Sequence, residues 1–428
     1  MDWMDLPLEL SELIFQRLSL DDAMNCRATC RSWRKAADAI FSSQLPLMLS
    51  LSTPSASPYT WPWILKSDNN NFGSLSAPWS NHDSTVLTET WPQGINRTDN
   101  RVHSVQGWLM FNIFHYVSDK SQTFSELLFF NPFSRDSFKL PKLFLFSGRP
   151  CYHQVRVAFN SAPPGSEEFV VAFLCVFSYQ ENVLMRPEHM KQKLAFIKFK
   201  QGSWIELESI KTAEIFYDIE VHGDNKLYGL TVKHKTSVVF VFTLGDNYRD
   251  DHIIERLVML NTIEDIPVGR FNFCHTSFKR RHQMVMDTST GELLLVRHDR
   301  WDDVLSRCYD LICTRGFRVF KLDRSILRWC EVFDIGDRFL FWDYTKVSLV
   351  SAKGLRLAER FKRGNCIFFC HANTHREWKS PIPDIQDQFR FKEHDIGVFF
   401  LADRTISHFS ISSSLPFSLL NMWFGPAP

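Results

Sequence analysis

The sequence predicts a multidomain α+β chain: a small three-helix unit at the N-terminus, then a large all-β domain for which a β-propeller is the favoured architecture. Three observations predict it. Apolar residues recur at helical spacing over residues 5–42 and hardly anywhere else. From about residue 105 onward, short β-rich runs recur, each closed by turn residues. The 428 residues also exceed the size at which one hydrophobic core stops growing, so at least two structural units are expected.

Composition limits the function classes. Hydrophobic residues make up 44% and charged residues 23%, and 39 Phe and 13 Trp supply large apolar bodies for a core, the balance of a folded protein. The formal net charge of +1, from 49 basic and 48 acidic side chains, provides no global field to gather polyanions, so neither nucleic acid nor an anionic membrane is expected as a partner. Ten Cys are scattered along the chain and read as reduced thiols of the cytosol and/or nucleus. Met1–Leu8 carries two acids and a proline and reads as neither signal nor transit peptide. No apolar run approaches the roughly 20 residues of a spanning helix, so a soluble protein is expected.

Residues 1–45 form the first unit. Leu10, Leu13, Ile14 and Leu18 make one helical stripe, and Trp33, Ala37, Ile40 and Phe41 make another. Pro7 suits a first helical turn. Between the stripes, Ser19 with Asp22 three residues on is a variant capping box that would start a middle helix carrying Ala23, Cys26 and Cys30. Three helices this short bury too little surface to be securely stable alone, which implies an external partner. A face of Leu6, Pro7, Leu10, Ile14 and Leu18 would pack on another protein's helices; the plainer alternative is that the helices brace the β-domain behind them. Arg27, Arg31, Arg34 and Lys35 could be read as a DNA-recognition helix. Asp2, Asp5, Glu9, Glu12, Asp21, Asp22 and Asp38 offset that charge, and a solvated helix face is the better account.

Residues 46–100 are rich in Ser, Pro, Asn and Trp and read as a linker with irregular lead-in segments. The β-domain, 101–428, follows. Its expected strands are 108–114, 127–130, 169–177, 194–199, 238–244, 293–296, 317–322, 366–369 and 398–401. Gly223-Asp224-Asn225 and Ser289-Thr290-Gly291 are expected turns. Such material builds a sandwich, barrel or propeller; radial repetition lets it grow without long open edges, which favours the propeller. The absence of a strict repeat leaves the number of blades open.

Two resemblances sharpen this reading. Leu6-Pro7-Leu8-Glu9-Leu10, then residues 14–22, then Cys26-Arg27-Ala28-Thr29-Cys30-Arg31-Ser32-Trp33-Arg34 closely resemble the F-box. That resemblance implies binding of a Skp-type adaptor, which joins a cullin scaffold, with Leu6, Pro7, Leu10, Ile14, Leu18, Cys30 and Trp33 as contact candidates. Trp33 has a second possible place, in the unit's own small core. Ala23-Met24 departs from the larger aliphatic residue the family often carries first.

Further along, Trp61-Pro62-Trp63-Ile64-Leu65, His103 with Gly107-Trp108-Leu109, and Phe129-Phe130-Asn131-Pro132-Phe133-Ser134-Arg135 resemble plant F-box proteins with a C-terminal KIB-type β-propeller. Asp224-Asn225-Lys226-Leu227-Tyr228-Gly229-Leu230, Gly291-Glu292-Leu293-Leu294-Leu295-Val296, 317–323 ahead of Trp329, 364–369 and Met422-Trp423-Phe424 continue the match over nearly the whole chain. Physically these phrases are turns and buried strands, and so fold determinants.

Chemistry-bearing motifs are missing: no phosphate-cradling loop, no Gly-x-Ser-x-Gly, no His-Glu-x-x-His and no Cys-x-x-Cys occur, and the chain has only 17 Gly. Cys366, Cys370, His371 and His375 are the nearest approach to a metal cluster, but strand alternation would put His371 on the face opposite Cys370. His103 reads as a structural histidine. Lys279-Arg280-Arg281-His282 and Lys362-Arg363 are short basic runs of the kind that serves nuclear import, but a solvated turn is the better account of each, and the acid pairs Asp250-Asp251 and Asp302-Asp303 read as solvated. No catalytic residue, metal or cofactor is expected. The functional expectation is a non-enzymatic substrate-recognition adaptor of a ubiquitin ligase, gripping a Skp-type adaptor and presenting its β-domain to an unknown target protein. The alternatives are a propeller enzyme or small-molecule-binding protein braced by its N-terminal helices, and a non-ligase interaction protein that uses the F-box only to occupy the adaptor.

Overall fold

The computed structural model describes residues 6–15, 29–44, 47–52, 71–76, 85–88, 101–105, 108–117, 122–131, 136–147, 152–160, 164–178, 190–207, 215–223, 225–233, 236–244, 254–262, 276–303, 311–343, 346–353, 364–372, 394–409 and 418–424, with Leu18, Cys26, Ala162 and Phe361. The described residues open with two helices, α1 (Leu8–Phe15) and α2 (Arg31–Gln44). Of the expected middle helix, Cys26 is helical and Thr29 lies in a turn, while Ser19 and Asp22 fall outside the described residues.

The described strands form six sheets. Blade one holds β1 (Leu47–Ser52), β2 (Asn71–Ser76) and β3 (Thr85–Thr88); blade two holds β4 (Arg101–Val105), β5 (Trp108–Val117), β6 (Gln122–Phe130), β7 (Ser137–Lys139) and β8 (Leu143–Ser147). Blade three is β9 (Tyr152–Phe159), β10 (Val170–Ser178), β11 (Lys191–Lys198) and β12 (Ile205–Glu206), and blade four is β13 (Phe216–His222), β14 (Lys226–Lys233), β15 (Thr236–Thr243) and β16 (Ile254–Thr262). Blade five is β17 (Thr276–Asp287), β18 (Glu292–Asp303), β19 (Leu311–Asp323) and β20 (Arg328–Val332). Blade six contains β21 (Arg338–Trp342), β22 (Val347–Ser351), β23 (Cys366–Ala372), β24 (His394–Phe400) and β25 (Ile406–His408). The last strand, β26 (Ser418–Phe424), returns to blade one and pairs antiparallel with β1, Met48 opposite Trp423. The ring is thus closed by backbone hydrogen bonds between the two ends of the β-domain.

The segment 46–100, expected to be irregular, therefore supplies three strands. Their ladder partners include a strand from the far end of the chain, a non-local pairing that local turn chemistry does not reveal. The basic run Lys279-Arg280-Arg281-His282 is likewise not a turn: it lies within β17, which pairs with β18 in unbroken register from Thr276↔Asp303 to Asp287↔Glu292. Lys362-Arg363 lies outside the described residues. Among the described residues one pairing is parallel, β21 with β23, so blade six departs from the simple antiparallel meander.

Side-chain alternation explains why the central strands read as continuous apolar runs. Every residue of β10 is buried. Val171, Phe173, Cys175 and Phe177 pack with Met110, Leu127 and Phe129 of blade two, whereas Val170, Ala172, Leu174 and Val176 pack with Phe240 and Phe242 of blade four. A blade sandwiched between two others has no solvent face, so both sets of alternating residues must be apolar. The same division recurs in β18, with Leu293 and Leu295 toward blade four and Leu294 and Val296 toward blade six. Each fully buried Phe or Leu contributes about 1.5–3 kcal/mol relative to exposure.

Between blades, where no ladder runs, side chains bond to edge backbone groups. Trp204 Nε1 donates to Pro141 O at 2.6 Å, Lys198 Nζ to Leu244 O at 3.1 Å, and the Thr314 amide donates to Asp395 Oδ2 at 2.7 Å. Arg338 pairs with Asp287 between blades six and five. The inner strands meet in succession, β9 with β13, β13 with β17, β17 with β22, and β26 with β4, around a central axis.

Candidate docking site and axial cluster

The N-terminal site begins at Pro7, whose carbonyl accepts the amides of Leu10 and Ser11, each at 3.1 Å, and so starts α1. One face of α1 is buried: Ser11 is 1% and Phe15 0% exposed, and Phe15 meets Trp33 of α2 edge to face with ring centroids 5.6 Å apart. On α2, which packs against α1, Ala36 and Ala37 are fully buried. The other face holds the leucine stripe. Leu10 is 48% and Leu13 55% exposed, and Pro7 is exposed beside them. Leu6, Ile14, Leu18, Cys30 and Trp33 are half-buried.

All seven contact candidates therefore keep accessible surface, and none is fully buried. Trp33 meets Phe15 edge to face and is half-buried, so it belongs at least in part to the unit's own small core. The sequence reading omitted Leu13 from the candidates, although it lies in the same stripe and is the more exposed leucine. The helical spacing of Leu10 and Leu13 was the signal that could have found it.

Cys30 sits immediately before α2. Its thiol lies 3.1 Å from Ser32 Oγ, and its carbonyl accepts the Arg34 amide at 3.0 Å. The Ser32 hydroxyl and then the Trp33 amide hold the thiol below its ordinary range by stabilising the thiolate. Cys366 and Cys370 behave oppositely: both are buried on one face of β23, and burial pushes the Cys366 thiol up to about 12 and the Cys370 thiol well above its usual value. They are core residues; the side chain of His371 and all of His375 lie outside the described residues. Among the described residues no group of His, Cys, Asp or Glu is placed to hold a metal ion, and no helix is long and apolar enough to cross a membrane. His103 is 1% exposed on β4.

A second polar constellation, not singled out in the sequence, lies at the propeller axis. Asp218 and Glu220 stand on one face of β13, two residues apart. The Met284 amide of β17 donates to Asp218 Oδ2 at 2.5 Å, and the Met286 amide bonds Glu220, so two carboxylates stitch blade four to blade five. Arg156 of β9 approaches Asp218 at 3.8 Å, and Lys346 approaches Glu220 Oε2 at 3.5 Å. Burial raises both carboxyls, the Asp218 group despite Arg156 beside it, and the Glu220 group to about 7 against the pull of Lys346.

The KIB1-4 beta-propeller family model matches residues 75–400, and the F-box-like model matches residues 3–42. The chain belongs to the KIB1-4 β-propeller family. This KIB1-4 chain is 22% identical over 346 residues to a protein of Arabidopsis thaliana named as the F-box protein At4g17565, covering 80% of this chain and 78% of that protein. It is 28% identical over 165 residues to the F-box/kelch-repeat protein At1g57790 of the same plant, covering 39% of this chain and 38% of the relative. Among solved structures, the β-propeller domain of the Trilobed protease from Pyrococcus furiosus aligns at 8% identity over 74% of this chain and 72% of that one, with a TM-score of 0.31. The last likeness is too loose to bear on the site.

Proposed function

We propose that this KIB1-4 chain is the substrate-recognition adaptor of a Skp-cullin-F-box ubiquitin ligase, its N-terminal unit completed by a middle helix into a three-helix F-box. The observation that carries the reading is the solvent-facing pair Leu10 and Leu13 beside Pro7, on a short helix whose opposite face is already used by Phe15 and Trp33. Two large leucines in water on an eight-residue helix are a surface built for cover. A Skp-type adaptor supplies that cover, and a cullin joins through it. The propeller then holds a target protein near the conjugating machinery and raises the effective concentration of its lysines. In this reading the chain performs no bond chemistry of its own, binds neither nucleic acid nor membrane, and works in the cytosol or nucleus.

The test is co-purification of the full chain with a Skp-type adaptor, comparing wild type with Leu10→Asp/Leu13→Asp. Capture by the wild type and loss in the double variant, with circular dichroism unchanged, is the expected result. Equal capture of both, or of neither while folded, overturns the assignment.

A further inference from the structure

The contacts around the axis carry an inference independent of the adaptor reading. Lys346 precedes β22 in blade six, yet its ammonium lies 3.5 Å from Glu220 in blade four and 4.0 Å from the ring centre of Phe159 in blade three. Blades three and six are opposite one another in a ring of six, so this side chain crosses the axis. No other contact described above joins opposite blades.

The charged groups facing this point come from each surrounding element. Arg156 comes from β9, and Asp218 and Glu220 from β13 with His222 one pleat further along the same face; β17 presents the amides of Met284 and Met286. On the lysine's own segment, Asp343 Oδ1 accepts the Lys346 amide at 2.8 Å. With Arg156, Asp218, Glu220 and Lys346 all ionised, two cations balance two anions. Protonation of Glu220 removes one anion and leaves the Lys346 ammonium, only 15% exposed, to share Asp218 with Arg156, two cations on one carboxylate. A buried ammonium that loses its nearest carboxylate and shares the next one with an arginine is costly, and lysine's long flexible stem lets it reach water by changing rotamer.

We propose that the Glu220–Lys346 contact is a pH-operated latch across the propeller axis: ionised Glu220 holds Lys346 in the channel and ties blade six to blades three and four, and protonated Glu220 lets the lysine swing out to solvent. Because burial brings Glu220 to about 7, the latch changes state close to neutral pH. The step is a rotamer change with one proton taken up from solvent, and the fold on either side of it is the same.

The experiment is amine-reactive labelling of the full-length protein across neutral pH, read by mass spectrometry at Lys346 and normalised to Lys200, which is 72% exposed. Normalised labelling of Lys346 rises by roughly 3-fold or more as pH falls from about 8 to about 6, bracketing the carboxyl's titration. In Glu220→Gln it is high and independent of pH. A flat wild-type profile, a profile that rises with pH, or a folded Glu220→Gln variant that keeps the wild-type profile overturns the latch. Should Glu220→Gln fail to fold, the wild-type profile decides alone.

Discussion

Phe15 and Trp33 meet edge to face at 5.6 Å and 83°, and this contact fixes which side of α1 is left for a partner. Phe15 is fully buried, so Phe15→Ala removes a large core side chain and is expected to cost the helical unit about 3–5 kcal/mol. Trp33 is half-buried, and Trp33→Ala costs less. Limited proteolysis of the full chain checks the order: Phe15→Ala is cleaved within the first 44 residues at protease levels that leave the propeller intact, Trp33→Ala more slowly, wild type slowest.

Leu10 and Leu13 give the complementary outcome. Both face solvent, so Leu10→Ala and Leu13→Ala leave proteolytic resistance within error of wild type. At an interface each buries a large aliphatic group, and each truncation is expected to weaken adaptor binding by roughly 10-fold, about 1–2 kcal/mol. Titration calorimetry against a Skp-type adaptor measures it. A loss of resistance in either variant would instead place these leucines in an internal contact.

What was legible in the sequence follows the range of the interactions involved. The run 169–177 announced β10 because a strand buried on both faces has no polar alternation to hide it. Ser289-Thr290-Gly291 announced the β17–β18 turn because Gly291 there takes φ +70°. The pairing of β1 with β26 joins distant segments that carry no local signature. The axial cluster was missed for a similar reason: Arg156, Asp218, Glu220 and Lys346 come from three blades and look like ordinary surface charges one at a time. Two acids at alternate positions of strand 216–222, with His222 at the next alternate position and Ile219 and Val221 between them, were the available clue, since same-face charges on an inner strand need partners.

Two glycines separate backbone conformation from close approach. A Cβ on Gly397 of β24 would lie 2.5 Å from the Ser407 carbonyl oxygen and 2.8 Å from the Phe369 ring, and the backbone atom cannot yield. A Cβ on Gly291 would meet nothing nearer than His222 Nε2 at 4.0 Å, leaving only the left-handed backbone as a cost. Gly397→Ala is therefore expected to lose about 2–4 kcal/mol and Gly291→Ala about 1 kcal/mol. Urea midpoints of the two variants check the ranking, and equal losses would show that blade six can widen around β24.

Glu220 predicts a pH dependence of global stability whose sign is unusual for a carboxylate near a lysine. Its native value of about 7 stands above the ordinary 4.5, with burial outweighing Lys346, so the folded state binds the proton more tightly than the unfolded chain does. The stabilisation from this group is complete below about pH 4.5 and is lost as pH rises through about 7, a difference of about 3 kcal/mol. Glu220→Gln keeps the shape and the hydrogen-bond acceptor for the Met286 amide and cannot ionise. It should match wild type at about pH 4.5 and exceed it increasingly toward about pH 8, measured as urea midpoints at both. A variant weaker than wild type at the alkaline end would mean that the pair with Lys346 outweighs burial, and that the propeller favours the ionised axis.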